Sequence, residues 1–307
     1  MSPDASSKPC PTRDQVDAWI DSIWQLVEST PCPAQLLQEE QGFTQSLGFR
    51  HAPGCQFVRF TPAGMSEFYG YWQPAHATPA PLLIHVPGYG AEVNAHPDLA
   101  AAGFNILHVN PLGYTTPAGA DESKQRDDNW PVLPDTILTH GEAGYRHWLA
   151  NAAMGARWAL DQPQTHDHRI SFFGSSQGGG GSLLLASMFK DRGARCVAAD
   201  VPFLTDFKRA LGRGAYELFS QMLSTVDDPD AAWHTTGLID TLSHVHRLHL
   251  PVLLTAGGAD GTCPPDTIED LFAQLPGTRS YTFLEDVTHR YTTQFIPLAA
   301  AWFRLHA

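Results

Sequence analysis

The chain has 307 residues, 43% of them hydrophobic and 17% charged, and a formal net charge of −13. That length buries a large core, and a wound α/β domain of this size is ordinary. The acidic balance carries no long run of one sign, which argues against nucleic acid or an anionic membrane as partner, and no run of about 18 apolar residues offers a membrane span.

Cys10, Cys32, Cys55, Cys196 and Cys263 are odd in number and scattered, with no C-x-x-C pair. They are expected as free thiols in a reducing compartment, which points to a cytoplasmic location. The start of the chain, Met1-Ser2-Pro3-Asp4-Ala5-Ser6-Ser7-Lys8-Pro9, lacks the apolar core of a secretory signal.

In chain order, residues 1–12 read as a loose tail. From Asp14 to Ser29, Val16, Trp19, Ile20, Ile23, Trp24 and Val27 recur at helical spacing. Cys55 to Phe60 and Glu67 to Trp72 read as a strand pair, turned by Pro62-Ala63-Gly64. Leu82-Leu83-Ile84-His85-Val86, bounded by prolines, suits a buried parallel strand, and Phe104 to Val109 is the next one. Pro111-Leu112-Gly113-Tyr114 and a polar stretch to about Pro134 form a surface loop near the mouth of the site. Ala143 to Leu160 reads as a packed helix, Arg169 to Phe173 as a strand, Gly181 to Phe189 as a helix, and Cys196 to Pro202 as a strand. This alternation implies a doubly wound, mostly parallel sheet. Phe203 to about Leu250 breaks it with helical segments and no clear strand, the place for a helical cap at about 203–249. Leu250 to Ala256 and Thr282 to Leu284 then restore the sheet. One domain over 1–307 is expected, with an N-terminal helix 14–29.

Between the strand at 169–173 and the following helix stands Gly174-Ser175-Ser176-Gln177-Gly178, which fits G-x-S-x-G. A serine on a sharp strand-to-helix turn is strained, and the residues two before and two after it crowd neighbouring backbone, so they must be small. The next backbone N–H opens a helix, where it can receive an oxyanion. A nucleophilic serine needs a base and an orienting carboxylate. In the α/β-hydrolase fold their order is Ser, acid, His, with a second oxyanion donor from the loop after an earlier strand. Pro87-Gly88-Tyr89-Gly90 supplies that turn, so the donors are the N–H groups of Tyr89 and Gln177. Asp260, in Ala259-Asp260-Gly261-Thr262 after the first strand past the cap, is the expected acid. Its rivals are Asp266, which stands past two prolines where a helix begins, and Asp286, close in sequence to the histidine. His289, just past the last strand, is the base; 15 histidines make a histidine cheap, but this one joins chain order to strand-end placement. His166 with His168, and His244 with His246, resemble H-x-H metal pairs, but no Cys or carboxylate cluster completes them, and no metal is expected.

Gly174-Ser175-Ser176-Gln177-Gly178-Gly179 resembles the G-x-S-Q-G-G signature of the acetyl xylan esterase / cephalosporin-C deacetylase family, carbohydrate esterase family 7. Pro87-Gly88-Tyr89-Gly90 is similar to its His-Gly-Tyr oxyanion turn, and Asp200-Val201-Pro202-Phe203-Leu204 to its aspartate-x-Pro-Phe-Leu segment. Asp260-Gly261-Thr262-Cys263-Pro264-Pro265 matches its acid loop. The resemblance runs from about residue 20 to the C-terminus. It implies an α/β-hydrolase fold and a serine carboxylesterase that deacetylates small acetylated sugars or related short-chain esters through an acyl-enzyme. It implies Ser176, Asp260 and His289 as catalytic residues, Tyr89 and Gln177 as oxyanion donors, no cofactor, a small-molecule ester as partner, and a homo-oligomer. The chain departs from the family at Leu112-Gly113-Tyr114, where Arg-Gly-Gln is usual, and at Arg290, where glutamate follows the histidine. Tyr114, Phe203 and Phe207 are candidates to crowd a small acyl pocket. An acyltransferase with the same covalent chemistry, a catalytically inactive binding scaffold and a peptidase of this fold are the alternatives.

Overall fold

The protein is described from a computed structural model, which covers residues 10–38, 54–89, 93, 95–125, 130, 144–289 and 294–307. Its centre is a nine-stranded sheet in the order β1-β2-β3-β5-β4-β8-β9-β10-β11. The strands are β1 (Ala34–Leu36), β2 (Gln56–Phe60), β3 (Phe68–Gln73), β4 (Ala80–Val86), β5 (Asn105–Asn110), β8 (Thr165–Ser175), β9 (Ala194–Asp200), β10 (Val252–Gly257) and β11 (Arg279–Leu284). From β5 to β11 neighbouring strands run parallel, and β1, β2 and β3 extend the sheet antiparallel. A separate two-stranded ribbon, β6 (Thr115–Thr116) with β7 (Gly119–Ala120), lies within the stretch expected as loop.

Alternation along each parallel strand feeds two apolar layers. Leu82, Ile84, Val86, Phe172, Val197 and Leu254 face the helices α1 (Arg13–Ser29), α3 (Tyr145–Leu160) and α4 (Gln177–Met188). Leu83, Ile106, Phe173, Ala198 and Leu253 face the opposite layer, built on Leu99 of α2 (Pro97–Ala101) and on Phe295, Ala299 and Phe303 of the C-terminal helix Phe295–His306. Helix α1 opens on a capping box: Thr12 accepts the Gln15 N–H and the Gln15 side chain accepts the Thr12 N–H.

Between β9 and β10 the chain is helical, with Phe207–Ala210, Glu217–Leu223 and Pro229–Ile239 and two 3-10 turns. Phe203, Phe207, Tyr216, Phe219 and Trp233 form a chain of ring contacts through it. Helix α4 and strand β8 have bounds other than the sequence expectation. Helix α4 begins at Gln177 rather than Gly181, because packing rather than glycine propensity decides it. β8 is longer than foreseen at both ends, and its register against β4 and β9 shifts before Phe172.

Three histidines interrupt the layer over α2. His85 and His108 sit on β4 and β5, and His96 precedes α2; all are buried. Burial holds their imidazoles below the ordinary range, His96 down to about 4, with mutual repulsion adding at His85 and His108.

Candidate active site

The strand β8 ends at Ser175, and Ser176 turns the chain into α4 with φ 57° and ψ −121°. A non-glycine residue there is strained, and the surroundings fix it: the Ser176 N–H donates to the Asp200 carbonyl at 2.9 Å, while its own carbonyl accepts Phe203 N–H at 2.9 Å and Gly180 N–H at 3.1 Å. A Cβ on Gly174 or on Gly178 would overlap the carbonyl oxygen of Val86. The close approach of β4 to the elbow is thus why the motif needs glycine at both flanks.

Three strand ends bring Asp260, His289 and Ser176 together. Asp260 follows β10, His289 follows β11, and Ser176 follows β8. His289 Nδ1 lies 2.9 Å from Asp260 Oδ2, and His289 Nε2 lies 2.9 Å from Ser176 Oγ. A carboxylate only accepts, so Nδ1–H donates to it and bare Nε2 faces the serine hydroxyl. The second oxygen of Asp260 accepts the N–H groups of Thr262 at 2.8 Å and Cys263 at 2.9 Å. The Asp260 side chain is buried and His289 is partly exposed. Asp266 is held instead by Arg209 and Arg213, whose guanidinium bonds lower its carboxyl against the cost of burial, and Asp286 is exposed. Neither takes the histidine's Nδ1.

Gln177 follows Ser176 directly, and Tyr89 follows the Gly88 turn that meets the elbow. Gln177 is the first residue of α4, where an N–H has no intrahelical acceptor, and its side-chain amide donates to the Tyr145 hydroxyl at 2.8 Å. Gly88 brings the turn before Tyr89 against the elbow, where a Cβ on it would stand 3.3 Å from the Ser175 carbonyl. The half-exposed Tyr89 donates its hydroxyl to the carbonyl of Trp130 at 3.2 Å, and the Trp130 ring stacks on Tyr114 at 4.7 Å. Trp130 escaped the sequence reading because it stands in a polar stretch without periodicity. Phe203 and Phe207 are both buried in the ring cluster around Tyr216.

The loop that departs from the family pattern is braced by a lysine. Lys124 Nζ donates to the carbonyls of Leu112 at 3.1 Å and Gly113 at 3.2 Å. Gly113 has φ +67°, and a Cβ there would stand 2.7 Å from Lys124 Nζ and 2.9 Å from the Glu67 carbonyl. Arg290 lies outside the described residues.

Two further groups touch the constellation. Asp200, at the end of β9, accepts the Ser175 hydroxyl at 2.8 Å and the Thr255 hydroxyl. Burial pushes its carboxyl up, against the pull of those two bonds. The buried Cys263 thiol lies near Ser176, and burial pushes it well above the usual thiol range, with Asp260 adding to the rise. The sequence signals were the Asp-x-Pro-Phe and Asp-x-x-Cys-Pro-Pro segments, but neither says which group it meets. Past Asp200 the backbone is strained, with positive φ at Val201, Leu204 and Asp206. It is fastened by Asp240, whose carboxylate accepts N–H groups of Asp206, Phe207 and Leu242.

A doubly wound sheet with a serine elbow, an aspartate and a histidine at the ends of β8, β10 and β11 defines an α/β-hydrolase. The acetyl xylan esterase (AXE1) family profile matches residues 54–306, and the chain belongs to that family and is an ester hydrolase. Its fold is similar to acetyl xylan esterase 1 from Thermoanaerobacterium sp. JW/SL YS485, with a TM-score of 0.77 at 22% identity over 96% of this chain and 94% of that one. It is also similar to the acetyl xylan esterase from Paenibacillus sp. R4, with a TM-score of 0.73 at 18% identity over 99% and 98%. Acylaminoacyl peptidase from Pyrococcus horikoshii shares the fold at a TM-score of 0.59 and 18% identity, over 77% of this chain and 37% of that one. Among the described residues, no helix is long and apolar enough to cross a membrane.

Proposed function

We propose that this chain is a serine carboxylesterase that removes acetyl groups from small acetylated sugars or related short-chain esters through an acyl-enzyme. The observation that carries it is the unbroken relay of two 2.9 Å contacts from Asp260 through His289 to Ser176. Ser176 Oγ attacks the ester carbonyl as its proton passes to His289 Nε2. Asp260 holds the tautomer and balances the imidazolium charge. The N–H groups of Tyr89 and Gln177 take the tetrahedral oxyanion, a contribution of about 3 kcal/mol per donor. His289 returns the proton to the departing alcohol, and water, activated by the same imidazole, releases the acyl group. The helical segment after β9 acts as the cap, and Tyr114 with Tyr89 and Trp130 narrows the acyl side. The scattered, unpaired cysteines support a cytoplasmic location, and the family resemblance alone supports a homo-oligomer.

A steady-state panel of p-nitrophenyl esters from acetate to octanoate, with acetylated xylose and cephalosporin C alongside, tests the substrate class. Acetate is expected to lead, and strong preference for octanoate sinks the deacetylase assignment. Stoichiometric fluorophosphonate labelling that disappears in Ser176→Ala separates the enzyme from an inactive scaffold. Product analysis with an added alcohol separates hydrolysis from acyl transfer.

A further inference from the structure

We propose that His85, His96 and His108 form a binding site for a divalent d-block cation of the zinc class, separate from the catalytic constellation. Each ring offers one nitrogen, and the three nitrogens lie within 4.8 Å of one another. The ring centroids are 5.0 Å apart for His85–His96, 5.0 Å for His85–His108 and 5.4 Å for His96–His108. The Nδ1 atoms of His85 and His108 are 3.0 Å apart. A tetrahedral zinc with bonds of about 2.0–2.1 Å separates two ligand nitrogens by about 3.3 Å. The pair therefore stands a few tenths of an ångström from ligand spacing.

Gln73 fixes the cluster's polarity. Its Oε1 accepts the His96 backbone N–H at 2.9 Å, so that end of the amide is the oxygen. The same oxygen lies 3.2 Å from His108 Nε2, which must therefore carry the hydrogen and donate. Neutral His108 then has a lone pair on Nδ1, aimed at His85. An imidazole that gives one N–H to an amide or carboxylate oxygen while its other nitrogen faces neighbouring ligands is the usual arrangement behind a bound metal. With no cation present His85 Nδ1–H donates to that lone pair. Metal binding shifts the hydrogen to Nε2 of the same ring, so no net proton is released. The rings of Phe173 and Tyr71 wall the cluster, at 4.8 Å from His85 and 5.9 Å from His108. Three imidazoles leave the fourth tetrahedral position to water, and His96, the most exposed of the three at 9%, gives the route in. The sequence hid the set because its members come from β4, the start of α2 and β5, with no short spacing between them.

The ion would tie β4 to β5 and α2 two residues before Pro87, where the oxyanion turn begins. Its test does not depend on the esterase assignment. The full chain, stripped with a chelator and returned to metal-free buffer, is titrated with zinc chloride by calorimetry, and bound zinc is counted after gel filtration. Cobalt(II) chloride then supplies a visible spectrum. The expected result is one zinc per chain with micromolar affinity or better, and a tetrahedral cobalt spectrum without thiolate charge transfer. Zinc affinity is expected to fall by about 10–100-fold in Gln73→Leu, as for the loss of a supporting bond, and further in His96→Gln. The other close set of metal-capable side chains among the described residues is Asp260, Cys263 and His289, so Cys263→Ala must leave zinc binding unchanged. Absence of bound zinc in the wild-type chain overturns the site, as does a thiolate band in the cobalt spectrum or loss of binding in Cys263→Ala. If His96→Gln does not fold, the wild-type cobalt spectrum alone decides between three nitrogens and a sulfur.

Discussion

Two buried carboxylates stand on neighbouring strand ends of this enzyme and differ in the groups that face them. Asp260 gives one oxygen to the His289 N–H and the other to two backbone N–H groups. Asp200 accepts only the Ser175 and Thr255 hydroxyls, and burial pushes its carboxyl up. Its backbone carbonyl, not its charge, reaches the nucleophile, through the Ser176 N–H. The same residue type at similar depth thus meets backbone N–H groups and an imidazole in one place and two hydroxyls in the other.

The largest effect belongs to the group the relay serves. Ser176→Ala is expected to lower kcat by on the order of 10⁶-fold, measured on the best p-nitrophenyl ester, with the melting temperature nearly unchanged. Asp260→Asn comes next, at about 10⁴-fold in kcat, because the amide favours the wrong tautomer of His289. A loss under tenfold would erase the contrast with Asp200. A third carboxylate extends the comparison: Asp240 also accepts backbone N–H groups, but complete burial raises its carboxyl to about 6. Its folded value exceeds its unfolded one, so the cost of ionising it is full above pH 6 and vanishes below about pH 4. Relative to Asp240→Asn, the wild type should therefore gain about 2 kcal/mol as pH falls from 7 to 4, read from denaturant midpoints. Gly180→Ala probes the segment that follows Asp200, since a Cβ there overlaps the Phe203 carbonyl; a loss of about 1–3 kcal/mol in unfolding free energy is expected. The smallest change is that of Asp200→Asn, about tenfold or less in kcat, with an unshifted pH–rate profile. A shifted profile would assign Asp200 an electrostatic role.

The grouping of Ser176, Asp260 and His289 was legible because motif and chain order place each just past a strand end, where the structure brings their side chains within hydrogen-bond reach. The sheet core was legible for a related reason: apolar runs such as Leu82–Val86 are buried on both faces. What stayed hidden depends on contacts across the sheet. No periodicity links Cys263 to Ser176, Gln73 to His96, or Lys124 to the Leu112 carbonyl. The helix Phe295–His306 also went unread, since Gln294 provides no side-chain cap to announce it. The start of α4 was misplaced because four successive glycines carry the lowest helix preference short of proline.

Those glycines bear on the order in which the enzyme is assembled. Each costs a helix about 1 kcal/mol relative to alanine, so the first turns of α4 have little tendency to form in isolation. They gain their order only by docking on β4 and on the backbone of Asp200 and Phe203, which Gly178, Gly179 and Gly180 approach too closely for any larger residue. The nucleophile's backbone is set by that same docking. On the proposed mechanism, catalytic competence therefore arrives with the completed sheet, and a partly folded chain carries Ser176 as an ordinary, unreactive serine.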